Sequence, residues 1–265
     1  MATKTKSQLD LLDTLAARGQ SEFTFHDAHQ ASGASVSAAA NTLRRLGEKG
    51  LVDRVVRGHY AIRPLGSLGT AVATEDLGLA VGTAFEGYPH RIAYASALGE
   101  LGLLTHPVRT AYVACTKQVR FTTVSRRPLR VVIEQPKTIH LEAEKLGKTW
   151  RSSLERALFE SAMRVDLLGS VERLVEALAA GASQAKPPHI KRLSKAFGAR
   201  GLAAERRLAS LVNALDLPLA LEPKVGKRQP IIGLEPRDDE VVWTDARYRV
   251  AWNRSVDELR AIIEN

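Results

Sequence analysis

The residues in this 265-residue chain best suited to chemistry are polar groups at helical spacing: Ser35, Ser37, Asn41, Arg44 and Arg45, followed by Arg54, Arg57 and His59. An amide such as Asn41 can both donate to and accept from one adenine edge, and a guanidinium such as Arg44 or Arg45 can set two parallel donors on guanine. Ser35 and Ser37 are small enough for a helix start to approach a groove closely, where its free backbone amides favour a phosphate. Around the dipeptide Arg57-Gly58, the cations Arg54 and Arg57, with His59 and Arg63 as further candidates, suit contact with a sugar-phosphate backbone or a minor groove. This is the chemistry of holding double-stranded DNA, and it makes and breaks no covalent bond.

Other candidate constellations are weaker. The chain has no Walker-type phosphate loop, no dinucleotide fingerprint and no Gly-x-Ser-x-Gly elbow. His26 and His29 are three apart with no carboxylate trio beside them, so they read as core or surface histidines and not as metal ligands. Asp238-Asp239-Glu240 reads as a solvated turn, with a divalent ion as the alternative, because three consecutive side chains rarely converge on one point. Glu134 and Lys137, flanking Gln135-Pro136, resemble the end of a nuclease strand but lack a partner Asp upstream. Cys115, the single cysteine, stands in the apolar run 111–114 and reads as a small buried hydrophobe. No catalytic residue, cofactor or metal is expected, and the chain is read as a non-enzyme.

Helices must present the candidate readers. Ser7 with Asp10 suggests a cap, and Leu9, Leu12, Leu15 and Ala16 recur at helical spacing until Gly19. Thr24 and Asp27 repeat the capping pattern before Phe25, Ala28 and Ala31, with Gly33 as a stop. A third helix opens at Ser35 with Val36, Ala39, Ala40, Leu43, Leu46 and Gly47 on its inner stripe, leaving Asn41, Arg44 and Arg45 outside. Residues 51–62 then read as two strands around a Gly turn. Three helices followed by a basic hairpin predict a winged helix-turn-helix over residues 1–66. The alternatives are an ordinary helical bundle with a polar face, or a winged module used as a protein docking platform.

Residues 67–265 predict a larger mixed domain. A linker at 65–70 precedes a helix running through Ala80, and residues 92–104 read as a strand or turn followed by a helix. Strands are expected at 110–115, 119–124 and 129–134. Between Leu101 and Ile133 stand Arg109, Lys117, Arg120, Arg126, Arg127 and Arg130 without one acid. Lys117, Arg120, Arg126 and Arg127 are taken as a second phosphate-contacting surface, the alternative being a sheet edge guarded by charge. Helices open at Ser152 or Ser153 and at Ser170; Pro187-Pro188 reads as an interruption before a basic helix that ends near Gly198. A helix at 202–215, short strands near Ile231, Val241 and 248–252, and a terminal helix at 256–263 complete an α+β fold.

The formal net charge of +9 favours polyanionic partners. The lysines near the start are followed by no uninterrupted apolar stretch, and no run approaches the roughly 20 apolar residues of a membrane span. A soluble cytoplasmic protein with no membrane partner is expected.

Several motifs together carry a family resemblance. Leu43-Arg44-Arg45-Leu46, Gly50-Leu51-Val52 and Arg57-Gly58-His59-Tyr60 resemble the winged-helix domain of the AbiEi antitoxins of bacterial abortive-infection and type IV toxin-antitoxin systems. Tyr94-Ala95-Ser96-Ala97-Leu98, Gly102-Leu103, Leu154-Glu155-Arg156-Ala157-Leu158, Leu168-Gly169-Ser170 and Val175-Glu176-Ala177-Leu178 are similar to that family's C-terminal domain, here 67–265. The resemblance implies a transcriptional autorepressor that binds inverted repeats in its own promoter. It also implies an antitoxin that counteracts a nucleotidyltransferase-like toxin. The alternatives are a toxin-capturing protein-interaction module with incidental DNA binding, or a stand-alone winged-helix regulator.

Overall fold

The structure, a computed structural model, describes residues 8–56, 58–63, 77–125, 127–236 and 240–264. The expected cap at Ser7, the linker at 65–70, Arg57, Arg126 and Asp238-Asp239 lie outside these residues. In chain order the elements are α1 (Gln8–Ala17), β1 (Glu22–Thr24), α2 (Phe25–Ser32), α3 (Val36–Glu48), β2 (Val52–Val56), β3 (His59–Ile62), α4 (Leu77–Ala84), β4 (His90–Ile92), α5 (Tyr94–Glu100), β5 (Ala111–Cys115) and β6 (Thr123–Val124). They continue with β7 (Arg127–Ile133), β8 (Ala143–Leu146), β9 (Thr149–Ser152), α6 (Leu154–Met163), α7 (Val165–Leu168), α8 (Val171–Gly181), α9 (Pro187–Ala214), β10 (Ile232–Gly233), β11 (Trp243–Asp245), β12 (Val250–Trp252) and α10 (Val256–Glu264). The fold is α+β. Among the described residues no helix is long and apolar enough to cross a membrane.

Two compact units form. One takes in residues up to Gly87 together with Val119–Leu129, the other Tyr88–Gln118 and Arg130–Asn265. The first unit therefore continues past residue 66 to include α4 and β6.

In the first unit, three helices close on a sheet of order β1-β3-β2. Leu11 and Leu15 of α1, Ala28 and Ala31 of α2, and Leu43 and Leu46 of α3 bury together with Phe23 and Val52. Thr24 starts α2 with a reciprocal cap. The Asp27 amide donates to Thr24 Oγ1 at 3.1 Å, and Asp27 Oδ2 accepts from the Thr24 amide at 2.7 Å. Thr24→Ala should therefore cost about 1 kcal/mol, seen as a lower urea midpoint by far-UV circular dichroism. An unchanged midpoint would mean the cap contributes nothing.

In the second unit the sheet runs β7-β5-β4-β9-β8. β4 lies antiparallel to β5, with Ile92 opposite Val113, and parallel to β9, with Ile92 opposite Arg151. Helix α6 packs against α5, α8 and α9. Its sequence buries Ala157, Leu158, Phe159 and Ala162, but also Glu155, Arg156 and Glu160. A helix with buried charge on it must find counter-charge inside. Arg91 of β4 and Glu134, just after β7, supply it. Arg91 Nη1 donates to Glu134 Oε2 at 2.8 Å and Arg91 Nη2 to Glu160 Oε2 at 2.5 Å, while Arg156 Nη2 donates to Glu134 Oε1 at 2.6 Å and Arg156 Nε to Glu160 Oε2 at 3.1 Å.

Two prolines thought to interrupt the chain instead begin α9, where they occupy its first turn. At that position a missing N–H leaves no hydrogen bond unmade, so Pro187 and Pro188 start the helix. The expected end near Gly198 is real as a kink, since Gly198 has φ 58 and ψ −133 within α9.

Candidate nucleic-acid interface

Helix α3 is fixed at its start and along one side. The left-handed Gly33 (φ 61) ends α2, and after a two-residue turn Ser35 Oγ accepts from the Ala38 amide at 3.3 Å. Ala39, Leu43 and Leu46 are buried, which sets the helix's rotation. Ser37, Asn41 and Arg45, one turn apart in succession, are exposed on the opposite side together with Arg44. The inner stripe is narrower than its sequence suggests. Val36 is 61% exposed and Ala40 is exposed too, whereas Ala39 between them is fully buried.

Each reader has a distinct local setting. The hydroxyls of Ser35 and Ser37 lie 3.2 Å apart. Arg44 donates to Glu48 one turn on, a pair in which both side chains are more than half exposed. Such a pair contributes little to stability and yields readily to a phosphate. Asn41 and Arg45 present their side chains to solvent.

The hairpin beside α3 carries a bulge. Arg54 faces Tyr60, but the next pairing is Val56 with His59, so Val55 is the extra residue and turns inward. Arg54 is left exposed and His59 half-buried. Gly58, at φ 85, takes a backbone that other residues rarely adopt, and its carbonyl accepts from the Phe25 amide at 2.7 Å. The hairpin tip is thus tied to the start of α2. Arg63 does not project. It is 4% exposed and grips Asp53 with two parallel bonds of 2.9 and 2.8 Å, so it braces the hairpin from inside.

Between α3 and the hairpin runs a groove of about 550 Å³, lined by Ala40, Gly47, Arg44, Arg54 and Tyr60 among others. It brings Arg44 and Arg54 to one concavity, a pairing that their ten-residue separation does not reveal.

The acid-free run splits between the units. Arg120, exposed, and Arg127, half-buried, belong to the first unit with α3 and the hairpin. Their segment is anchored there by Phe121 edge-on to Phe85 at 5.2 Å and by the Ser125 amide donating to the Val55 carbonyl at 3.0 Å. Lys117 belongs to the second unit, its ammonium 5.9 Å from the centre of the Tyr88 ring. The expected strand at 119–124 shrinks to Thr123–Val124.

The other candidates settle differently. His29 stacks on Phe25 at 6.3 Å, and both Glu134 oxygens are taken by arginines. Among the described residues no group of three or more His, Cys, Asp or Glu side chains could hold a metal.

No protein-family model and no curated protein matches the chain. It is similar to the crystal structure of the Rv2827c protein from Mycobacterium tuberculosis, with a TM-score of 0.71 over 99% of this chain and 96% of that one. The two share a fold. Their sequences are 20% identical, so the likeness speaks for the α+β architecture alone.

Proposed function

We propose that this chain is a DNA-binding transcriptional autorepressor and the antitoxin of a toxin-antitoxin operon, acting in the cytoplasm on inverted repeats upstream of its own genes. The observation that carries the DNA-binding part is the exposed Ser37, Asn41 and Arg45 stripe on a helix whose rotation is locked by buried Ala39, Leu43 and Leu46. The antitoxin part, and a nucleotidyltransferase-like toxin as the counteracted partner, rest on the AbiEi resemblance. No cofactor enters this reading.

In this reading α3 lies in the major groove, where Asn41 and Arg45 read base edges. Arg44 exchanges Glu48 for a phosphate, Arg54 and Arg57 hold the backbone from the hairpin, and Arg120, Arg126 and Arg127 add further phosphate contacts. About six such cations give a log-log dependence of affinity on salt with slope near −5.

Footprinting of the upstream DNA should show protection over the inverted repeats. Arg45→Ala should lose about 1 to 3 kcal/mol at one base position, whereas Arg54→Ala should weaken all sequences alike and flatten the salt slope by about one. Upstream DNA bound no better than random duplex, or full affinity in the combined Arg45→Ala and Arg54→Ala variant, would sink the reading.

A further inference from the structure

The second unit contains a cavity of about 820 Å³ where the turn at 134–138, the end of α6 and the kink of α9 come together. Its ionisable walls are mostly of one sign: Lys137, Arg164, Arg200 and Arg207 against Glu134. Glu134 is already neutralised by Arg91 and Arg156 at 2.8 and 2.6 Å, and Arg164 is held by Asp166 at 2.8 and 2.9 Å. Lys137, Arg200 and Arg207 remain.

Arg207 is the informative one. It is 7% exposed, and its Nε and Nη1 donate to the carbonyls of Gly233 and Ala162 at 2.8 and 3.1 Å. Among the described residues no carboxylate pairs with it. Burial, and then the neighbouring Arg206, push its guanidinium down to about 10, so it stays charged at neutral pH. A buried cation without counter-charge is costly, and a bound anion in the cavity removes that cost. Exposed Lys137 and Arg200 stand on two different walls of the same cavity. The remaining walls include Met163, Phe197 and an Ile133 that is 54% exposed despite being apolar. The volume lies within the roughly 300–1,000 Å³ range of small-molecule sites.

We propose that this cavity binds a nucleotide, with its phosphates against Arg207, Arg200 and Lys137 and its base against the apolar wall of Met163 and Phe197. All of these residues lie in the second unit, so the site is additional to the DNA-reading face and does not depend on it.

Titration calorimetry of the full chain with ATP and with GTP tests the proposal, with tripolyphosphate as control. One site per chain is expected, with a dissociation constant below about 100 μM for at least one nucleotide. Arg200→Ala and Lys137→Ala, both at exposed positions, should each weaken binding about tenfold, some 1.4 kcal/mol, without moving the melting temperature. No saturable heat up to millimolar nucleotide would overturn the site. So would unchanged affinity in both variants. Tripolyphosphate binding as tightly as the nucleotides would remove the base from it, and competitive displacement by duplex DNA would reassign these cations to nucleic-acid backbone contact.

Discussion

Glu160→Leu is expected to cost the second unit about 3–5 kcal/mol, because it leaves two buried guanidinium groups, those of Arg91 and Arg156, sharing the single carboxylate of Glu134. Glu160 is fully buried and accepts from Arg91 and Arg156, from Ser152 Oγ at 2.8 Å and from the Tyr94 amide at 2.6 Å. Tyr94 stands at φ 51, a left-handed backbone that is unusual for an aromatic residue. The carboxylate therefore balances charge and also holds a strained backbone that opens α5. All three tryptophans, Trp150, Trp243 and Trp252, belong to the second unit, so their fluorescence during urea unfolding reports on it selectively. A loss below about 1 kcal/mol would be no more than an exposed pair contributes, and would refute the role given to this cluster.

The same group predicts a pH dependence. Burial raises the Glu160 carboxyl, but the charges of Arg91 and Arg156 outweigh that and hold it below the ordinary 4.5. A carboxyl depressed in the folded state contributes stability that is fully present above its unfolded value and lost as pH falls through the folded one. The second unit should therefore weaken below pH 4.5, and Glu160→Gln should unfold with a shallower acid limb.

Gly201→Ala should cost about 3 kcal/mol, the upper end for overpacking, since the obstacle is largely main chain. A methyl group there would press on the Ser194 carbonyl and come within 2.9 Å of Ser194 Cα and Phe197 Cβ. Such closeness arises because α9 turns at Gly198, laying the start of its second half against the end of its first. Gly198→Ala should add strain of about 1–3 kcal/mol at that turn. Both variants should lower the urea midpoint with an unchanged slope. A wild-type midpoint for Gly201→Ala would show that the two halves of α9 do not approach so closely.

The first three helices and the hairpin were legible because each is announced locally: Thr24 and Ser35 as caps, Gly33 and Gly58 as left-handed corners, Leu43 and Leu46 at helical spacing. β1 escaped because Glu22-Phe23-Thr24 is too short to show alternation, although it pairs in register with His59, Tyr60 and Ala61. The β8–β9 hairpin escaped for a related reason: β8 is four residues long with Glu144 and Lys145 at its middle, and Gly147-Lys148 reads as loop. Arg91, Glu134, Arg156 and Glu160 are scattered over 70 residues of sequence, and charged residues are ordinarily read as surface. Only the tertiary fold shows that they meet. Glu134 and Lys137 resemble the end of a nuclease strand but lack the partner Asp upstream, and the Glu134 side chain points its two oxygens at arginines, a role that its sequence neighbours do not disclose.

The Ser125 amide closes the outer side of β2 at the Val55 carbonyl. On the ribosome that cover arrives late. At about 5–20 residues per second, the roughly 60 residues between Ile62 and Val124 take about 3 to 12 seconds to synthesise. Until then the Val55 carbonyl, on the edge strand Val52–Val56, lacks the Ser125 amide that it accepts from in the folded chain. A chain released just after Ile62 would lack that partner permanently, and with it both α4 and β6 of the first unit.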